Sequence, residues 1–154
     1  MEYRECVKES FCVIGKEGST EDGIAFTKAL WKDANEHFVE VSGVAKRDEH
    51  GDLVGIWGLM SDFSRSFQPW ENGFTKGLYL AGIEAEPDAV PPPGWVRWVV
   101  PSFEYLCIKN ENPDSFAKGL TCLNENGFTL AGAVQEFTNP VDGTGHLYYP
   151  VRRL

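Results

Sequence analysis

The sequence predicts an α+β fold of two βαββ units, and three observations lead there. A seven-residue motif recurs: "GLMSDFS" (58–64) and "GAVQEFT" (132–138) share a Gly, two apolar residues, an acid, a Phe and a hydroxyl residue in order. Around each copy the apolar pattern runs strand, helix, strand, strand. Between the two sets stands "EAEPDAVPPPG" (84–94), whose consecutive prolines bar both a helix and a central strand. One duplicated domain over residues 1–154 follows, with half one at about 1–86, the joint at 84–94 and half two at about 95–154.

Half one opens on the strand-like "SFCVIGKEG" (10–18). Ile24, Leu30, Trp31, Ala34, Phe38 and Val41 then recur at roughly 3.6-residue spacing, a helix with Asp22 as its N-cap. "GLMSDFS" and "TKGLYLAGIEA" (75–85) supply its last two strands. Half two repeats the order with "SFEYLCIKNE" (102–111), a helix on Phe116, Leu120 and Leu123, then "GAVQEFT" and "TGHLYYPVRR" (144–153). That helix follows "NPD" and ends at "NENG", with Gly127 as C-cap. Each helix must bury an apolar stripe. One antiparallel sheet, or two abutting sheets, with both helices on one face is the economical solution. The other face is left as a concave surface on the pseudo-twofold axis, the expected place for a ligand cleft between the halves.

Composition narrows the function. With 23 Asp+Glu against 14 Lys+Arg the net charge is −9, which repels nucleic-acid phosphates and attracts a cationic small molecule. Direct nucleic-acid binding is therefore not expected. Cys6, Cys12, Cys107 and Cys122 show no CxxC spacing, and His37, His50 and His146 form no paired ligand motif. No metal site, disulfide framework or cofactor is expected, and reduced thiols suit a cytoplasmic setting. "MEYRECVKES" lacks the pattern of a signal peptide, and no apolar run approaches the ~18 residues of a membrane span. Nothing resembles a phosphate loop or a Ser-His-Asp order.

Glu136 is the anomaly. It sits in a short apolar run, where strands disfavour Glu and an unpaired buried carboxylate is costly. Strand alternation places Glu136 with Gly132 and Val134 on one face, and Asp62 with Gly58 and Met60, so both acids could approach the axis. The plainer alternatives are an exposed strand end, or pairing of Glu136 with Arg97, Arg152 or Arg153 and of Asp62 with Arg65. Trp57, Tyr79, Trp98 and Tyr105 lie on strand-like runs and face either cleft or core. Trp31 and Phe38 belong to the helix stripe and are assigned to the core. Trp95, after "PPPG", is placed on a loop as a lid.

Three longer stretches carry a resemblance: "LYLAGIEAEPDAVPPPGWVRWVVPSFEYLCIK" (78–109), "NENGFTLAGAVQEFTNP" (124–140) and "LYYPVRR" (147–153). They resemble the gyrase-inhibitor-like family, the effector-binding domain of AraC-type and multidrug-sensing bacterial regulators. The likeness runs over nearly the whole chain and is clearest over 76–154. It implies the duplicated fold just derived, with an aromatic-lined cleft whose glutamate meets lipophilic cations. The matching position is Glu136, and the tyrosine of the C-terminal motif falls on Tyr148. The regulators join this domain to a helix-turn-helix, whereas strand-like sequence begins here within the first ten residues; a stand-alone form without a DNA-binding domain is expected. The resemblance implies a binding module for lipophilic, aromatic, cationic compounds, acting as sensor or sequestering protein. Its alternatives are a hydrolase of reactive aromatic compounds, with Glu136 activating water beside the Tyr148 hydroxyl, and an inhibitor of a macromolecule such as gyrase. An enzymatic role is the lesser expectation.

Overall fold

Two strands beyond the expected set complete the duplication. The computed structural model describes residues 2–154. Half one contains β1 (Arg4–Lys8), β2 (Phe11–Ser19), α1 (Phe26–Glu36), β3 (Ile56–Ser61), the single turn α2 (Glu71–Phe74) and β4 (Leu78–Ala85). Half two contains β5 (Val96–Val100), β6 (Phe103–Lys109), α3 (Ser115–Glu125), β7 (Gln135–Thr138) and β8 (Gly145–Arg153). All eight strands join one sheet in the order β1-β6-β8-β7-β3-β4-β2-β5, and every pairing is antiparallel. Swapping each strand for its counterpart in the other half returns the same order from the opposite edge. A pseudo-twofold axis therefore passes between β3 and β7.

The edge strands are exchanged. β1 belongs to half one but pairs with β6, and β5 belongs to half two but pairs with β2. The corners that redirect the chain, at Glu9–Ser10 and Pro101–Ser102, touch one another, with the Ser10 N–H donating to Ser102 Oγ at 2.8 Å.

Alternation along the strands builds a core on each face. On the helix side, Ile14 and Ile83 pack under α1 with Ala34 and Val41, while Leu106, Ile108, Leu147 and Tyr149 pack under α3 with Cys122 and Leu123. On the other side, Val13, Trp57, Leu59, Leu80, Trp98, Phe103 and Tyr105 form one cluster inside the curl of the sheet. The curl brings Lys8 on edge strand β1 within 3.4 Å of Glu84 on β4, and 4.4 Å from the centre of the Phe11 ring. Glu84 is 4% exposed at its side chain and also accepts from Trp57 Nε1 at 3.0 Å. Pairing and hydrogen bonding together make such a buried charge tolerable. The face opposite the helices is thus a filled core, which corrects the expectation of a cleft there.

Two local expectations also change. Gly23, at φ 113°, breaks the first helix pattern: a 3₁₀ turn over Thr20–Asp22 precedes it, α1 starts at Phe26, and Ile24 is left exposed. The cap of that turn is Ser19, whose N–H in turn donates to Asp22 Oδ2 at 2.8 Å. Trp95 is buried under α1 rather than free as a lid; its N–H donates to Glu40 at 2.9 Å, and Lys16 lies 4.5 Å from its ring. The second helix follows its sequence signals, with Gly127 at φ 76° just after the C-cap Asn126. No helix among the described residues is long and apolar enough to cross a membrane.

Candidate ligand-binding site

The cleft lies on the helix side of the sheet. It has a volume of about 540 Å³ and runs between α1 and α3, above β3, β4, β7 and β8. Its floor is set by the junction at the axis. The β3–β7 ladder holds only three pairs, Ile56–Thr138, Trp57–Phe137 and Gly58–Glu136. Beyond them the buried Gln135 side chain replaces the ladder: it accepts from the Met60 N–H at 2.7 Å and donates to the Met60 carbonyl at 3.2 Å. This clamp fixes the neighbouring Glu136, whose side chain faces the cleft.

Glu136 anchors a short relay. Trp31 Nε1 donates to the Tyr79 hydroxyl at 3.0 Å, and that hydroxyl donates to Glu136 Oε1. The second carboxylate oxygen has no hydrogen-bond partner, and no cation pairs with Glu136, among the described residues. The candidate arginine partners are engaged elsewhere: Arg97 donates to the Pro87 carbonyl, Arg152 pairs with Glu104 at 2.8 Å, and Arg153 lies 5.7 Å from the Phe103 ring. Burial pushes the Glu136 carboxyl above its usual value, and the Tyr79 hydrogen bond opposes this only in part. Burial and the adjacent carboxylate push the Tyr79 phenol far up, so it remains a donor.

Aromatic side chains wall the cleft from both halves. α1 contributes Trp31, the β3–β4 connection contributes Trp70 and Phe74, and α3 contributes Phe116. Trp70 is held by its N–H to the Leu78 carbonyl at 2.8 Å. Phe74 meets Phe116 edge to face at 5.4 Å, bridging the halves. The connection carrying Trp70 and Phe74 holds four non-glycine residues at positive φ: Arg65, Phe67, Asn72 and Phe74. Such residues are uncommon and cluster where a chain is held for function.

The expected site residues divide between the two faces. Glu136 and Tyr79 come together in the cleft. Trp57, Trp98, Tyr105 and Tyr148 lie on the opposite face, where Tyr148 is 5.2 Å from Trp57 and 5.3 Å from Tyr105 between ring centres. The hydroxyl beside Glu136 therefore belongs to Tyr79 and not to Tyr148. Asp62 follows the end of β3, whereas Glu136 lies inside β7, so the two motif copies occupy different places in their halves. Asp62 instead organises the connection, accepting from Ser61 Oγ at 3.0 Å, from the Ser66 N–H at 2.9 Å and from Ser64 Oγ. Burial pushes its carboxyl up, and these bonds more than reverse the effect, holding it below the usual range. Trp31, Trp70, Phe74 and Phe116 were not expected in the site. For Trp31 one signal existed: a tryptophan on a buried stripe still needs an acceptor for its N–H.

The relay predicts a specific outcome for Tyr79→Phe. Removing the hydroxyl leaves Glu136 Oε1 unbonded and strands the Trp31 N–H. The Glu136 titration, followed by NMR of a carboxyl-labelled sample, should move to higher pH than in the unsubstituted protein. An unmoved or lowered midpoint would contradict the relay.

Three solved structures share this architecture. SAV2435, solved bound to tetraphenylphosphonium, superposes with a TM-score of 0.64 at 14% identity, covering 99% of this chain and 94% of that one. The EcmrR C-terminal domain gives 0.62 at 13% identity, with 100% of both chains covered. The fold is the gyrase-inhibitor-like one. A protein from Staphylococcus aureus MU50 shares it too, with a TM-score of 0.60, 15% identity and 99% of each chain covered. At these identities the likeness to these structures is one of fold. No family model and no curated protein matches the sequence.

Proposed function

We propose that this chain binds lipophilic aromatic cations in the cleft above Glu136, as a sensor or sequestering module. One observation carries the reading: a half-buried carboxylate spends one oxygen on Tyr79 and leaves the other without a protein partner, facing into a cleft with aromatic walls. An organic cation supplies the missing partner. At ~4 Å and an effective dielectric near 20 the attraction is about 4 kcal/mol before desolvation is subtracted. Each well-placed ring adds roughly 0.5–2 kcal/mol by cation–π attraction, and stacking area adds more. Together these are enough for micromolar affinity. The volume of about 540 Å³ falls within the range of small-molecule pockets, roughly 300–1,000 Å³. That SAV2435 was solved with a permanent lipophilic cation supports the choice of ligand class.

The test is calorimetric titration with tetraphenylphosphonium and with a flat cationic dye, set beside a neutral aromatic of similar size. Saturable binding of the cations at one site, with quenching of tryptophan fluorescence, is expected. Equal affinity for the neutral compound, or no saturation by either cation, would overturn the reading.

A further inference from the structure

Away from the cleft, β1 and β6 bring two thiols together on the concave face. Cys6 pairs across the ladder with Tyr105 and Cys107 with Arg4, so the two cysteines are diagonal neighbours. Their sulfurs lie 2.9 Å apart, against about 2.05 Å in a disulfide. Closing the remaining gap requires a shift of under about 1 Å. The element that has to move is an edge strand, unpaired on its outer side. Access is unequal: Cys107 is 3% exposed, while Cys6 is half-buried and meets solvent. Two cations flank Cys6 on β1, Arg4 opposite Cys107 in the register and Lys8 one turn of the pleat further on.

We propose that Cys6 and Cys107 form a peroxide-reactive dithiol that closes to a disulfide and locks the exchanged strand β1 onto β6. Cys6 is the attacking group. The hydrogen bond from the Cys107 thiol, which outweighs burial, and the charges of Arg4 and Lys8 hold the Cys6 thiol down at about 7, so thiolate is present at neutral pH. The same contact and burial push Cys107 up, keeping it a thiol until it is needed. In the first step the Cys6 sulfur attacks one oxygen of hydrogen peroxide; an S–O bond forms, the O–O bond breaks, and hydroxide leaves as water after taking a proton. In the second, the Cys107 sulfur attacks that sulfenic acid; the S–S bond forms, the S–O bond breaks, and the Cys107 proton leaves with the hydroxide as a second water. Two thiols and one peroxide become one disulfide and two waters. Cys12 and Cys122 cannot substitute, since both are buried on the helix side, Cys12 in the cluster under α1 and Cys122 on the inner face of α3.

The experiment treats the reduced, full chain with a small excess of hydrogen peroxide, blocks remaining thiols, and maps tryptic peptides without reduction. The expected product links the peptide Glu5–Lys8 to the peptide Trp98–Lys109, and accessible thiols under denaturant fall from four to two. The unsubstituted protein answers this without any variant. Cys6→Ser, checked for folding by near-ultraviolet circular dichroism, should leave Cys107 alkylatable after the same treatment. Retention of all four thiols, a sulfinic acid on Cys6 without a link, or a link through Cys12 or Cys122 would each overturn the proposal.

Discussion

Replacing Glu136 by Gln should weaken binding of a permanent organic cation by roughly ten- to a hundredfold, about 1.4–2.7 kcal/mol. This is less than the raw attraction of about 4 kcal/mol at ~4 Å, because the carboxylate is partly solvated in the open cleft and the cation also loses water. A neutral aromatic of the same shape should bind the variant as well as it binds the parent. The fold should not suffer. Gln keeps an oxygen to accept from Tyr79, and removing an unpaired, half-buried charge removes a desolvation cost. The pH dependence gives a second reading. A raised folded value means that the folded chain holds the Glu136 proton more tightly than the unfolded chain does. Its contribution to stability is present at low pH and is lost as pH rises through the folded value. Cation affinity should run the other way, rising with pH through that value and then levelling off. The Glu136 contribution to both slopes should vanish in the Gln variant, measured as the difference from the parent by calorimetry and thermal unfolding across the acid range. Unchanged affinity in the variant would end the role of Glu136.

Gly58→Ala should cost both affinity and stability, and so separates shape from charge. Gly58 faces Glu136 directly across β3–β7, and a methyl there would stand 2.5 Å from Glu136 Oε1 and closer still to the Tyr79 hydroxyl. Relief requires Tyr79 to rotate away, which breaks the relay and fills the floor of the cleft. Ala is favoured over Gly in a strand by roughly 0.5–1 kcal/mol, but overpacking a filled site costs about 1–3 kcal/mol. The overpacking should win. A fall of about 2–8 °C in the thermal midpoint is expected, with at least a tenfold loss of cation affinity. A variant with the parent's midpoint and affinity would show that the floor has room the geometry denies.

Much of this architecture was legible because its signals are local. The helix over 115–125 announces itself through Phe116, Leu120 and Leu123 and a terminal glycine, and the strands through apolar runs bounded by Gly and Pro. Glu136 stood out because a carboxylate in an apolar strand demands a partner. What stayed hidden depends on pairing across long distances. Nothing local says that Arg4–Lys8 joins half two, or that Gly58 rather than Asp62 sits opposite Glu136. The seven-residue likeness matched composition and not register, and a strand's place in the ladder is set by its neighbours. The same limit left the strand aromatics undivided between cleft and core. Trp57 and Tyr79 are both on strand-like runs, and period-two alternation divides them between faces without saying which face is hollow. The cleft lies beside the helices because α1 covers β2 and β4, α3 covers β6 and β8, and the central strands β3 and β7 are left bare, a fact of helix placement.

The exchange of edge strands makes the duplication indivisible. Cut at the proline-rich joint, half one would keep β1 without β6 and expose β2 without β5, and half two would suffer the mirror-image loss. Each fragment would then present raw hydrogen-bonding edges, the feature that drives strands to associate with strangers. The two repeats are thus no longer modules that can be shuffled or inherited separately. A ligand seated on the axis touches a single interlocked body, and the grip on it comes from both repeats at once.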